Sequence, residues 1–286
     1  MTGAKPEPGE LMPVAQSPQL APAGAALLET VLNGAPSDSD TPAPAAEGSD
    51  ATRAKTRAAF ELADTTGLAA APHLVEAMME QPQADGIETY RRVIGSNPHA
   101  CPAALGLATL GSAAAPYVLQ QMQAVLEAEA STDGEAMRSA RLITACDLLG
   151  NLGRSVALLA TPALRSCMGD SDWWVRRQAA EAAGRLTATG TAPQLSVLLE
   201  DENRIVRRAA AFAATQWAVA GEQAALALAT EGLAFMLTDD PDRYNRGFAA
   251  LALQQLAVWD AAARERLVAS LMAARWCPVT NSRNPF

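Results

Sequence analysis

From residue 51 onward, apolar positions return at intervals of three and four, the spacing that lines one face of an α-helix. Glycine or proline interrupts the pattern every 12 to 20 residues. Alanine dominates, runs of β-branched residues are missing, and strict apolar–polar alternation never persists, so the pattern predicts helices and no sheet. The breaks give first helices at roughly 115–130, 155–168, 191–200 and 221–238. Second helices follow at roughly 134–150, 172–187, 203–219 and 241–257, with a last, unpaired helix near 260–275.

Self-similarity sharpens that division. The stretch Asp170-Ser-Asp-Trp-Trp-Val-Arg-Arg-Gln-Ala-Ala-Glu-Ala-Ala-Gly-Arg-Leu186 returns 31 residues later as Asp201-Glu-Asn-Arg-Ile-Val-Arg-Arg to Trp217. It returns again after another 39 as Asp240-Pro-Asp-Arg-Tyr-Asn-Arg-Gly to Leu256, and a weaker copy, Met137 to Leu148, stands 38 residues before the first. Each period holds one antiparallel helix pair. Asp172, Asn203 and Asp242 fall where a helix begins, and their side-chain oxygens can cap free amides. Val175 and Val206, with Ala179, Ala180, Ala183 and their counterparts, form a stripe small enough to admit a neighbouring helix closely. Asp170, Asp201 and Asp240 each lie six residues before Arg176, Arg207 and Arg246, placing an acid in a turn and a base in a helix to pair between successive units. Recurrence at fixed offsets marks these pairs as scaffolding, because an active site is a single constellation.

These residues resemble HEAT-like repeats, in particular the short Asp-then-Val-Arg form of the phycobilisome-lyase-type HEAT family, most strongly across 160–257. The resemblance implies an all-α, right-handed α-solenoid of antiparallel helix pairs, each pair stable only against its neighbours. The third copy departs by placing Asn245 where valine is expected. Members of that family assist attachment or removal of bilin chromophores on phycobiliprotein cysteines, so the resemblance carries a lyase-like, chromophore-handling alternative. HEAT-like alkylbase glycosylases supply a second alternative, DNA binding.

Composition changes the picture mainly at the ends. Of the formal charge of −9, residues 1–50 carry −6, and they hold eight of the 18 prolines. Such a segment buries too little apolar surface to offset its ordering entropy, so 1–50 is expected as a disordered acidic arm. A candidate short helix at 25–33 interrupts it, with Leu27, Leu28, Val31 and Leu32 on one face and Gly34 as its stop. The solenoid is expected over 51–275 and an extended tail over 276–286. The acidic balance disfavours nucleic acid, no apolar run reaches the length of a membrane span, and the residues after Met1 lack the apolar core of a secretory signal. Cys101, Cys146, Cys167 and Cys277 show no CxxC spacing, which fits reduced thiols in a bacterial, cytoplasmic protein.

Catalysis has little to work with. His73 and His99 are the only histidines, and no Gly-rich phosphate loop or nucleophile elbow occurs. His99 and Cys101 lack a second ligand pair, so no metal or cofactor is expected. The expectation is a non-catalytic scaffold, an accessory or maturation subunit for a bacterial enzyme, that binds a protein partner. Trp173 shares a column with Arg204 and Arg243 and is expected to face solvent, with Arg177 and Arg208 extending the row; Trp and Arg dominate binding hot spots. Trp174, aligned with Ile205 and Tyr244, is expected in the core. Trp276 and Phe286 in the tail are expected either to cover the last unit or to meet another protein.

Overall fold

The computed structural model describes residues 18–33, 47–84, 101–128 and 134–259, with a few single positions beyond, and the side chains of 47–51, 81–84 and 223–229 are outside that description. Among the described residues every regular element is helical. The helices are α1 (Pro22–Asn33), α2 (Glu47–Thr66), α3 (Ala71–Ala84), α4 (Pro102–Thr109), α5 (Ala115–Glu127) and α6 (Gly134–Asn151). They continue as α7 (Ala157–Met168), α8 (Trp173–Leu186), α9 (Ala192–Leu198), α10 (Arg204–Ala220), α11 (Gln223–Asp239) and α12 (Arg243–Trp259). Even-numbered helices from α2 to α12 stack in chain order as one layer, and odd-numbered helices from α3 to α11 stack as the other, with α1 against α2 and α3. The fold is an α-solenoid.

Two kinds of turn produce it. Where an odd helix gives way to an even one, as at α7–α8, α9–α10 and α11–α12, the caps form as the sequence predicts. The side chains of Asp172, Asn203 and Asp242 accept from the backbone N–H groups of Trp174, Ile205 and Tyr244 at 2.8–2.9 Å. Where an even helix gives way to an odd one, a short 3₁₀ turn intervenes at Gly67–Ala70, Gly111–Ala114, Arg154–Val156 and Thr189–Thr191. Gly67 and Gly111 open the first two with φ of 58° and 62°, a left-handed conformation costly for other residues. The proline in Ala71-Pro72, Ala115-Pro116 and Ala192-Pro193 then sits in the first turn of the next helix, where its missing N–H costs nothing.

Small residues set the spacing within the even layer. Ala179, Ala180, Ala183, Ala210, Ala211 and Ala214 are buried, together with Val175 and Val206. A Cβ built at Gly184 would come within 2.7 Å of the Ala213 backbone, and one at Gly150 within 3.1 Å of the Ala182 backbone. Glycine is therefore required wherever α6 meets α8 and α8 meets α10 most closely. Trp217 takes the largest share of the gap further along: it is fully buried, and its indole N–H donates to the Ala183 carbonyl of the preceding unit at 3.1 Å.

The amino-terminal boundary differs from the expectation. The helical body begins before residue 51, because α1 is a packed helix and α2 starts at Glu47. Val31 is buried, Leu27 and Leu28 pack on the core, Gly24 lies against Thr66, and the Pro18 carbonyl meets the His73 ring nitrogen at 2.9 Å. The apolar surface lost by an acidic, proline-rich stretch is made up by the neighbouring helices, which a composition argument leaves out. The expected tail at 276–286 and most of the helix expected at 260–275 lie outside the described residues.

Gly184→Val forces a side chain into backbone and is expected to cost about 1–3 kcal/mol in urea unfolding. Gly247→Ala, where the added Cβ meets nothing within 4 Å, is expected to be neutral or to stabilise α12 by up to about 1 kcal/mol.

Candidate protein-interaction surface

The polar turns hold a ladder of ion pairs. Arg176 Nε and Nη2 donate to both carboxylate oxygens of Asp201 at 2.8 and 3.0 Å, and its Nη1 donates to the carbonyls of Asp170 and Ser171 at 2.9 Å. One unit on, Arg207 Nε and Nη2 clasp Asp240 at 2.5 and 3.0 Å, while Nη1 donates to the Asp201 carbonyl at 2.7 Å. Arg138 in the weak copy holds Asp170 at 2.7 Å. Arg176 and Arg207 thus each reach forward to the next aspartate and back to their own turn. The aspartates accept as well from backbone N–H groups two residues on, of Asp172, Asn203 and Asp242. Burial pulls the Asp240 carboxyl upward, but the Arg207 fork, the Asp242 N–H and the Asn245 amide outweigh it and hold its pKa below the ordinary 3.8.

Asn245 explains its departure from valine. It is fully buried, its amide donates to the Arg204 carbonyl at 2.8 Å and to Asp240 at 3.3 Å, and its oxygen accepts from Arg208 Nε at 3.3 Å. A buried polar group is tolerable here because each side-chain end has a partner.

Outside the ladder the columns diverge. Arg208 sits over the rings of Tyr244 and Phe248, 5.9 and 5.5 Å from their centroids, and Arg243 lies over Tyr244 at 4.9 Å. Arg204 and Arg208 flank Asp242 at 3.4 and 3.7 Å. The backbone N–H of Tyr244 leads the influences that lower the Asp242 pKa, and the two arginines add to it. Tyr244 is 58% exposed and Phe248 39%; Leu251 one turn on is 56%, and Phe212, one turn beyond Arg208 on α10, is 36%. A shallow depression of about 400 Å³ opens between Arg204, Pro241, Asp242 and Tyr244. Cationic and aromatic groups therefore lie together on the surface of α10 and α12.

The row expected from the sequence is brought together only in part. Arg204, Arg208 and Arg243 gather around Asp242 and Tyr244. Trp173 is half-buried, contrary to expectation, because it packs edge-on against Trp174 with centroids 5.1 Å apart. Trp174 is half-buried too, as is Ile205, and Tyr244 of the same column is exposed, while Val175, Val206 and Asn245 beside them are buried. Arg177 is bound to Glu181 at 2.8 Å. Trp276 and Phe286 lie outside the described residues.

A second buried ionic cluster escaped the sequence. The carboxylate of Asp147 on α6 accepts from Gln178 at 2.9 Å and Arg185 at 2.8 Å, both on α8. Its signal was an acid inside an otherwise apolar helix run. Arg138 and Arg141, with Glu127, Glu135 and Asp170, line an open cleft of about 980 Å³ near the start of α6. The Cys146 thiol hydrogen-bonds with buried Cys167 and is held well above its ordinary value of 9.0, which keeps it protonated. Among the described residues, no group of three or more metal-ligating side chains forms, and no single helix is long and apolar enough to cross a membrane.

Residues 135–215 match the HEAT repeats family. That stretch, under a third of the chain, is similar to HEAT repeats. The matched segment runs from α6 into α10 and covers the Arg138–Asp170 and Arg176–Asp201 rungs. No curated protein matches the chain. Among solved structures, an engineered protein is 20% identical with a TM-score of 0.42, covering 77% of this chain. The chain spans 63% of that structure's length.

A carboxyl with a depressed folded pKa stabilises fully above its unfolded value and loses that stabilisation as pH falls through the folded one. The array is therefore expected to weaken below about pH 4 as Asp240 protonates. Asp240→Asn is expected to be about 3 kcal/mol less stable at neutral pH and less acid-sensitive, checked by urea titration at several pH values.

Proposed function

We propose that this chain is a non-catalytic binding scaffold that holds a protein partner on the outer surface of α10 and α12, as an accessory or maturation subunit. The observation that carries the reading is the guanidinium of Arg208 held over Tyr244 and Phe248, with exposed Phe212 and Leu251 beside it. Arginine and aromatic side chains that are already ordered lose little entropy on binding, and these residue types carry most hot-spot energy. HEAT-like repeats commonly present such faces to proteins, which supports the same reading.

A nucleic-acid backbone fits less well. The chain is net −9, and Arg177, Arg204 and Arg208 are each partnered by a carboxylate. The bilin-lyase alternative rests on the resemblance of the repeat alone, and its sign would be an absorbance shift on incubation with a bilin.

Affinity capture from the native host is expected to recover one stoichiometric protein with the wild-type chain. Tyr244→Ala combined with Leu251→Asp is expected to weaken that capture about tenfold or more while leaving thermal melting unchanged. Recovery of no stoichiometric partner, or equal capture by the double variant, would overturn the proposal.

A further inference from the structure

Among the described residues, the last arginine of the ladder is Arg246. In Arg176 and Arg207, Nη1 is anchored by the carbonyls of the residue's own turn, and the Nε–Nη2 edge clasps the aspartate of the following unit. Arg246 has the anchor complete, with Nη1 donating to the Asp240 carbonyl at 2.7 Å and the Pro241 carbonyl at 3.4 Å. Among the described residues, no carboxylate pairs with Arg246. The guanidinium is held in the geometry of the ladder, with the edge that should meet the next unit free.

The described surroundings of Arg246 are open. Gly247 follows directly, and a Cβ there would meet nothing within 4 Å. Arg243, Gly247 and Gln254 are exposed along the same helix. Chain beyond α12 is poorly supplied with acids to close the ladder. The next acid in the sequence after α12 is Asp260, 14 residues on from Arg246. Glu265 is exposed, and residues 266–286 contain no Asp or Glu.

We infer that this face of α12 docks a second, different protein through an acidic turn of the form Asp-x-Asp or Asp-x-Asn that opens a helix, so that the partner continues the ladder. The inference rests on the protein-binding reading above and names the chemistry of the partner. The incoming aspartate accepts from Arg246 Nε and Nη2, as Asp201 and Asp240 do inside the array, and its helix lies along α12 over Gly247. Exposed Arg243 adds positive charge beside the acidic turn. Bidentate geometry makes the contact selective for arginine over lysine at position 246.

The test uses a fluorescent peptide with the sequence of residues 201–220, which carries the turn and helix that Arg176 receives inside the array. Added to the full-length chain, it is expected to show saturable binding by anisotropy. Binding is expected to fall about tenfold with Arg246→Met, and nearly as far with Arg246→Lys. The same loss is expected when the peptide carries Asp201→Asn, a change that leaves the protein's folding untouched. Tyr244→Ala with Leu251→Asp, the pair that probes the outer face, is expected to leave peptide binding in place. No saturable binding, or binding indifferent to both the Arg246 and the Asp201 changes, would overturn the inference. Capture of a host partner would in that case still stand on its own evidence. Sedimentation of the chain alone completes the test: self-association abolished by Arg246→Met would make the occupant a second copy and would overturn a separate partner.

Discussion

Where the helix pairs from α6 to α12 are laid on one another, a guanidinium and a carboxylate leave most of their water behind, and the structure has to be arranged so that both are answered. The solution is economical in groups. One arginine is shared between the carbonyls of its own turn and the aspartate of the next, and that aspartate also takes a backbone N–H of its own turn. Buried pairs of this kind add little net stability over apolar packing, but losing one partner is expensive. They therefore specify register, while the alanine stripe, the close-approach glycines and Trp217 supply the burial that holds the stack together.

Fixing the interior this tightly leaves the outer columns free to differ from unit to unit. The column occupied by Glu181 on α8 becomes Phe212 on α10 and Leu251 on α12, and that of Trp174 becomes Ile205 and then exposed Tyr244. The apolar and aromatic character of the surface thus increases toward the carboxyl-terminal units, where arginines are already ordered by Asp242. A rigid scaffold with a divergent outer face is compatible with the binding role proposed for this chain.

The repeat made the carboxyl-terminal half legible. Expected and observed helices there agree to within three residues at nearly every end, because Asp172, Asn203 and Asp242 cap by purely local chemistry. The amino-terminal half lacks the Asp–Arg signature; the apolar face of Leu27, Leu28 and Val31 marks α1 as a helix, but that it packs depends on α2 and α3, which composition does not show. A local signal was present all the same in Gly67-Leu-Ala-Ala-Ala-Pro72 and Gly111-Ser-Ala-Ala-Ala-Pro116, the turn that precedes α3 and α5. Long-range features were the least legible. That Asp147 would meet Gln178 and Arg185, or that Asn245 would reach the Arg204 carbonyl, depends on how two helices cross, which no single helix encodes.

The account stands most directly on the coupling between units, and a double-mutant cycle on Arg176 and Asp201 measures it. Arg176→Ala, Asp201→Ala and the double variant, compared by urea unfolding, are expected to show a coupling of about 2 kcal/mol, with each single change costing nearly as much as both. Additivity within about 0.5 kcal/mol would mean that the two residues do not join the repeats, and the ladder would lose its place as the element that sets their register.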